Sequence, residues 1–437
     1  MTNYNILYLH SHDTGRAIQP YGYGVATPHL QRFAEQGVLF RQAFCAGPTC
    51  SPSRAGLLTG TYPHVNGMLG LAHRGFGLKD YKQHLARVFG EAGYETALAG
   101  MQHEAGDVRA IGYEHVLPTR SSAAADVVPH AVEFLARTHD RPFFLSAGFF
   151  ETHRPFPTPE IDPRFVKPPA PIADTESTRR DMAGFATSAQ RMDEGYGLIL
   201  AALDRSGLAD KTIVIITTDH GPAFPGMKCN LTDHGIGVLL MVRGPGGFEG
   251  GRVIDAAVTH LDLFPTLCDL AGIDKPARLQ GKSLLPLVRG DVTNLHERIV
   301  AEVNFHAAYE PQRCVRTSRY KYIRRFASRT SPVLPNCDAG ESKDLWLSAG
   351  WRKIAPEDEQ LYDLILDPNE VRNLVGDASA ASELSAMRLS LREWMEQTSD
   401  PLLDGPLMIP AGAALDDVDA LDPDEKVTRY KTSQRAE

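Results

Sequence analysis

Short, wholly apolar runs that end in polar residues recur along this chain. Ile6-Leu7-Tyr8-Leu9 leads into Ser11-His12-Asp13-Thr14-Gly15, and Thr96-Ala97-Leu98-Ala99-Gly100 leads to His103. Phe143-Phe144-Leu145-Ser146-Ala147 continues to Glu151-Thr152-His153, and Ile213-Val214-Ile215-Ile216 reaches Asp219-His220-Gly221. Runs this brief, apolar on both faces and bounded by turn residues, predict buried strands of a parallel sheet. Between them, Met192, Tyr196, Ile199, Leu200 and Leu203 recur at 3–4 spacing and predict a helix from about 183 to 203. Strands alternating with helices predict an α/β fold, a doubly wound, mainly parallel sheet flanked by helices.

The pattern changes near residue 300. Cys314-Val315-Arg316-Thr317 and Tyr320-Lys321-Tyr322-Ile323 alternate as antiparallel strands, and a helix follows from about 380 to 398. We therefore divide the chain into a larger α/β domain (1–300), a smaller C-terminal α+β subdomain (301–400) and an acidic C-terminal arm (401–437). The arm is expected to be partly disordered and offers a contact for a second subunit in a homo-oligomer.

Composition narrows the function by exclusion. The chain has 437 residues and a formal charge of −9, which disfavours nucleic acid as a partner. No run approaches the roughly 18 apolar residues of a membrane span. Met1-Thr2-Asn3-Tyr4 lacks the basic start of a secretory signal, so a cytoplasmic location is expected. Six cysteines without a CxxC pair argue against a disulfide scaffold or a thiolate zinc site. The sixteen histidines carry more information, because several stand at predicted strand ends. In a doubly wound sheet those ends share one rim, where the ligand site lies.

The strongest local signal is Cys50-Ser51-Pro52-Ser53-Arg54-Ala55-Gly56-Leu57-Leu58-Thr59-Gly60. Ser51 and Pro52 suit a helix start, which would set Cys50 where backbone N–H groups favour an anion. This segment resembles the C-x-P-x-R…L-x-T-G signature of the type I sulfatases, of the alkaline phosphatase superfamily. Ala26-Thr27-Pro28-His29-Leu30 and the late Leu361-Tyr362-Asp363-Leu364 with Asp367-Pro368 are similar to other stretches of that family. Asn66-Gly67-Met68, Arg141-Pro142-Phe143-Phe144-Leu145, Phe224-Pro225 and Asn230-Leu231 echo its sulfamidase branch.

The resemblance implies hydrolysis of a sulfate ester or sulfamate, on a small anionic substrate such as a sulfated sugar or an aryl or alkyl sulfate. It implies that Cys50 is oxidised to formylglycine by a formylglycine-generating enzyme, and that one divalent metal is bound. Asp13, Asp219 and residue 50 match the family's metal ligands. His12 and His220 stand where the family has a carboxylate and an amide. Oxygen ligands favour Ca²⁺, which we place first, while the imidazoles pull towards Mn²⁺. Arg54, His103, His153 and Lys228 match catalytic positions, but Met101 replaces an expected lysine. His73, Arg74, His306 and Arg313 are candidates for the substrate rim. His220 and Met101 keep open a phosphonate monoester or phosphodiester hydrolase built on the same nucleophile, or a sulfatase promiscuous towards such esters. A catalytically silent binding protein is the remaining alternative.

Overall fold

A computed structural model describes residues 4–436. Its main sheet has eight strands: β1 (Asn5–Ser11), β2 (Val38–Phe40), β3 (Glu95–Gly100), β4 (His115–Val116), β5 (Phe143–Gly148), β6 (Thr212–Thr218), β7 (Leu240–Arg243) and β8 (Arg252–Ile254). They lie in the order β8-β2-β7-β6-β1-β5-β3-β4, and only β7 runs against the others. The register sets Leu7 between Leu145 and Val214. Alternation then sends neighbouring side chains to opposite faces. Ile6, Tyr8, Ile213 and Ile215 join one core, while Leu7, Leu9, Val214 and Ile216 join the other. This division explains why the runs read as continuously apolar: both faces are covered. Each such side chain contributes about 1.5–3 kcal/mol by burial.

The helices that matter for the site are α1 (Pro28–Gln36), α2 (Cys50–Thr59), α3 (Ala124–Leu135) and α4 (Glu176–Arg205). The last begins earlier than its apolar spacing suggests, because Thr175 caps it in a reciprocal pair with Thr178. Among the described residues no helix is long and apolar enough to cross a membrane.

A second sheet, antiparallel throughout, consists of β9 (Ile299–Phe305), β10 (Tyr309–Arg316), β11 (Tyr320–Arg325) and β12 (Glu359–Asp363) in that order. Helix α5 (Glu341–Ser348) precedes β12, and α6 (Ala381–Gln397) packs on β10 and β11. The expectation of a partly disordered arm after residue 401 needs correction. Leu402, Leu407, Ile409, Ala413 and Leu415 are buried in the same apolar cluster as Trp394 and Tyr322. Two short strand pairs, 408–409 with 434–435 and 414–416 with 427–429, tie the segment down. Most of its acidic residues face outward, Asp416 being the buried exception, and they drown the apolar ones in a composition count; burial supplies the order that composition hides.

Candidate active site

Four neighbouring parallel strands, β6, β1, β5 and β3, end on one rim and deliver Asp219-His220, His12-Asp13, His153 and His103 respectively. The loops are braced against one another. His12 donates its backbone N–H to the Glu151 carbonyl, Thr152 returns one to the His12 carbonyl, and Gly15 donates to the His220 carbonyl. Asp13 is held at φ 55°, in the left-handed region that aspartate tolerates better than most residues. Gly221 sits so close to the 234–235 backbone that a Cβ would lie 1.9 Å from the His234 carbonyl oxygen. Any side chain there would push the Asp219-His220 turn off the rim.

Helix α2 points its N-terminus into this rim. Cys50 is its first residue, all ten of its residues are buried, and Gly60 ends it in the left-handed conformation. Arg54, one turn on, is consumed by the strand ends. Its Nη1 donates to His10 Nδ1 at 2.7 Å, and its Nη2 donates to the Ser11 carbonyl and to Asp219 Oδ2, both at 2.9 Å. Accepting at Nδ1 fixes His10 as the tautomer that donates through Nε2 to Ser146 Oγ. His10 is thus a packed histidine that positions Arg54.

Asp13, Cys50, Asp219 and His220 bring one ligand atom each to within 4.8 Å of one another; His12, Asp13, Cys50 and His153 form an overlapping set. The donor chemistry fits a divalent cation. His220 Nδ1 donates to the Gly221 carbonyl at 2.9 Å, so the lone pair of Nε2 faces Cys50 Sγ at 3.5 Å and Asp13 Oδ1 at 3.3 Å. His12 differs: its Nδ1–H donates to Asp13 Oδ1 at 2.7 Å and lies 3.1 Å from Asp219 Oδ2, bridging the two carboxylates. Burial holds the His12 imidazolium form down to a pKa of about 4 against the pull of Asp219 and Asp13, so the ring is neutral.

The carboxylates are ionised despite burial. Burial works to raise Asp13, but Lys228, His153, His12 and His220 together hold it well below the usual range. Burial likewise opposes ionisation of Asp219, and His220, Arg54 and His12 overcome it. The thiol of Cys50 is pushed the other way: burial raises it well above the ordinary cysteine value, more than Lys228 can offset. As a thiol this residue would be a weak nucleophile at neutral pH.

Lys228 closes the opposite side. Its Nζ donates to Asp13 Oδ2 at 2.8 Å and Asp338 Oδ2 at 2.9 Å, and lies 3.3 Å from His153 Nε2. Burial disfavours the ammonium, yet Asp13 and Asp338 hold it charged. His153 donates through Nδ1 to the Arg154 carbonyl, leaving Nε2 towards Lys228. His103 stacks on His73 with ring centroids 5.0 Å apart and a 2.7 Å contact from Nε2 to His73 Nδ1. Its own Nδ1 is buried without a partner, 6.1 Å between ring centroids from His12.

Of the four residues expected at the substrate rim, two are elsewhere. Arg313 is fully buried and paired bidentately with Asp400, through Nε at 2.6 Å and Nη2 at 3.0 Å. Arg74 is buried and occupied by Asp416 at 3.0 Å and Asp424 at 2.7 Å. Both read as free cations in sequence because their acidic partners lie far along the chain. His73 is exposed, but its hydrogen bond goes to His103. His306 is buried with Lys228 and Asp338 nearby, so the C-terminal subdomain does reach the site. Sequence reasoning missed Asp338, which sits 110 positions beyond Lys228 in a loop with no motif.

The sulfatase family profile matches residues 4–273, and the profile of the N-sulphoglucosamine sulphohydrolase C-terminal region matches residues 228–337. Human N-sulphoglucosamine sulphohydrolase is 30% identical over 457 aligned positions, covering 87% of this chain and 88% of its own. A Δ4,5-hexuronate-2-O-sulfatase of Bacteroides thetaiotaomicron is 27% identical over 89% of this chain and 88% of its own. A structure solved in complex with its substrate D-glucosamine-2-N,6-O-disulfate superposes with a TM-score of 0.72 at 18% identity, covering 92% of this chain and 99% of that one. A 2-O GAG sulfatase gives 0.70 at 24% identity, over 92% and 94%. The chain belongs to the sulfatase family, whose members hydrolyse sulfate esters or sulfamates.

Proposed function

We propose that this protein hydrolyses a sulfamate or sulfate ester on a sugar, through a formylglycine made from Cys50 and with one divalent cation. The observation that carries the reading is the convergence of Asp13, Asp219, His220 and residue 50 at the start of α2, around a thiol too strongly suppressed to act as one. The likeness of residues 228–337 to the sulphoglucosamine sulphohydrolase C-terminal region supports a sulfated amino sugar.

Asp13, Asp219 and His220 would hold the cation, with calcium placed first and manganese second. When bound, the cation supplies charge against the sulfate oxygens and acidifies the attacking hydroxyl. Converted to the hydrated aldehyde, residue 50 would supply that hydroxyl, an O–S bond forming as the bond from sulfur to the leaving oxygen or nitrogen breaks; its second hydroxyl, on losing a proton, would let the aldehyde re-form with release of sulfate. Arg54 keeps Asp219 in place from below, through the 2.9 Å bond. Lys228 faces negative charge developing on the leaving atom, and the Lys228–His153 pair delivers the proton that atom needs. His103, with an unpartnered buried Nδ1, accepts the proton of the second hydroxyl, and its contact with His73 leads towards solvent.

The test is the mass of the Cys50 peptide from active, natively expressed protein. The aldehyde is expected, and an unmodified thiol would overturn the mechanism. Cys50→Ala should lower turnover of 4-nitrophenyl sulfate by on the order of 10⁴-fold or more. A second reading, a phosphonate monoester or phosphodiester hydrolase, is favoured by His220 standing where the family has an amide. A higher kcat/KM on an aryl phosphonate monoester than on the matching aryl sulfate would select it.

A further inference from the structure

The junction of the main domain and the C-terminal subdomain holds a second cavity, of about 360 Å³, that the catalytic rim does not use. That volume falls at the lower end of the roughly 300–1,000 Å³ typical of small-ligand sites. Trp346, on α5, and Trp351, just beyond it, form one wall; their rings meet edge to face with centroids 5.1 Å apart. Both indoles are half-buried, whereas the chain's third tryptophan, Trp394, is in a core. Flat, partly exposed aromatic surface facing a cavity suits the apolar face of a ring ligand.

The rest of the lining mixes apolar residues such as Val333 and Ile354 with amide and charged groups. Arg325 pairs with Glu310, and Asn336 Nδ2 donates to Glu310 Oε2 at 3.0 Å. The Arg325 Nε is buried without a partner, and Asn230 lines the cavity from the catalytic domain. Arg325 is the one cation of the lining against two carboxylates, Glu310 and Glu357, so the cavity lacks the positive excess that a sulfate or phosphate group requires. Aromatic wall, amide and charged edges and no net attraction for anions fit a neutral polyhydroxylated ring. We propose that this cavity binds an uncharged saccharide residue.

Its position adds meaning. Cys229 and Cys337 line the cavity and are chain neighbours of Lys228 and Asp338, whose side chains meet at 2.9 Å in the active site. The two sites therefore share the same two pieces of backbone. The link to catalysis rests on the reading that the substrate is a sulfated sugar; the cavity would then take an unsulfated residue of the same glycan.

Titration of the full chain with N-acetylchitotetraose, followed by tryptophan emission, tests the proposal without requiring turnover. A saturable change is expected in the wild type. Trp351→Ala should abolish it, and Trp351→Phe, which keeps a flat ring, should weaken it less. Absence of saturation in the wild type, or equal binding by Trp351→Ala, would overturn the proposal. Turnover of 4-nitrophenyl sulfate by Trp351→Ala should match the wild type and report an intact fold. On a sulfated oligosaccharide the same variant should raise KM by about 10-fold at constant kcat, the equivalent of about 1.4 kcal/mol. Saccharide binding in a protein that turns over neither a sulfate ester nor a sulfamate would refute the proposed function and leave this inference standing.

Discussion

The molecule buries charge in two places and treats it in opposite ways. Around Arg313 the arrangement is closed: the guanidinium forks onto Asp400, its Nη1 donates to the Val303 and Gln312 carbonyls at 3.1 and 2.8 Å, and the buried Glu302 beside it is taken up by His64 and Asn304. At the rim of the main sheet it is open. Asp13, Asp219 and Asp338 face Arg54 and Lys228, an excess of one carboxylate, while His12 is held neutral. The lone pair of His220 is aimed into that space, and the Nδ1 of His103 is buried without a partner. A closed pair has nothing left to offer a ligand. An acid excess beside free lone pairs is a demand for a cation. The difference separates structure from function better than burial or charge alone, since both regions have the same burial and similar residues.

Breaking the closed pair should give the largest effect on stability. Arg313→Met leaves Asp400 buried and uncompensated, and should cost about 3–5 kcal/mol in urea unfolding of the metal-free protein. The double variant Arg313→Met/Asp400→Leu should regain most of that loss. Activity per folded molecule should be unchanged in both. A single variant as stable as the wild type would show that the pair is not closed.

Opening the other cluster further should do the reverse. Asp13→Asn keeps the left-handed backbone, which asparagine also tolerates, and Lys228 retains Asp338. Unfolding should therefore change by less than about 1 kcal/mol. Metal affinity, measured by calorimetry with Ca²⁺ and with Mn²⁺, should fall by at least about 100-fold, or about 2.7 kcal/mol. A variant that binds both ions as well as the wild type would remove Asp13 from the ligand set.

This contrast also marks what could be read from sequence. The four strands and their loaded ends were legible because a parallel sheet writes itself as short apolar runs, and topology alone then gathers His12-Asp13, His103, His153 and Asp219-His220 on one rim. Cys50 was legible through a local motif. Arg313 and Arg74 were misread as rim cations, since nothing local distinguishes an arginine paired with Asp400 or Asp416 from a solvated one. Asp338 was invisible for the same reason reversed: its meaning comes from Lys228, 110 positions away. The short strands Val38–Phe40 and Arg252–Ile254 lacked any run to reveal them; their pairing with each other supplies what their length does not. Side-chain charge is local in sequence, but compensation is not.

The smallest effect concerns a third way of burying a titratable group, which is to keep it neutral. His84 is fully buried; its Nδ1 accepts from the Ala86 N–H at 3.1 Å, and its Nε2 has no partner. Burial, with help from Arg87, lowers its pKa to about 3. In the unfolded chain the ordinary value is about 6.5. Below that value the unfolded state binds a proton that the folded state refuses. The neutral ring's share of stability is therefore complete above pH 6.5 and is lost as pH falls towards 3. Between pH 7 and pH 5 the loss amounts to about 2 kcal/mol for this residue. His84→Asn retains a side-chain acceptor for the Ala86 amide but does not titrate. Its unfolding free energy should fall less steeply with acid than the wild type's, by about that amount. A His84→Asn variant that followed the wild-type slope would remove the neutral ring of His84 from the protein's sensitivity to acid.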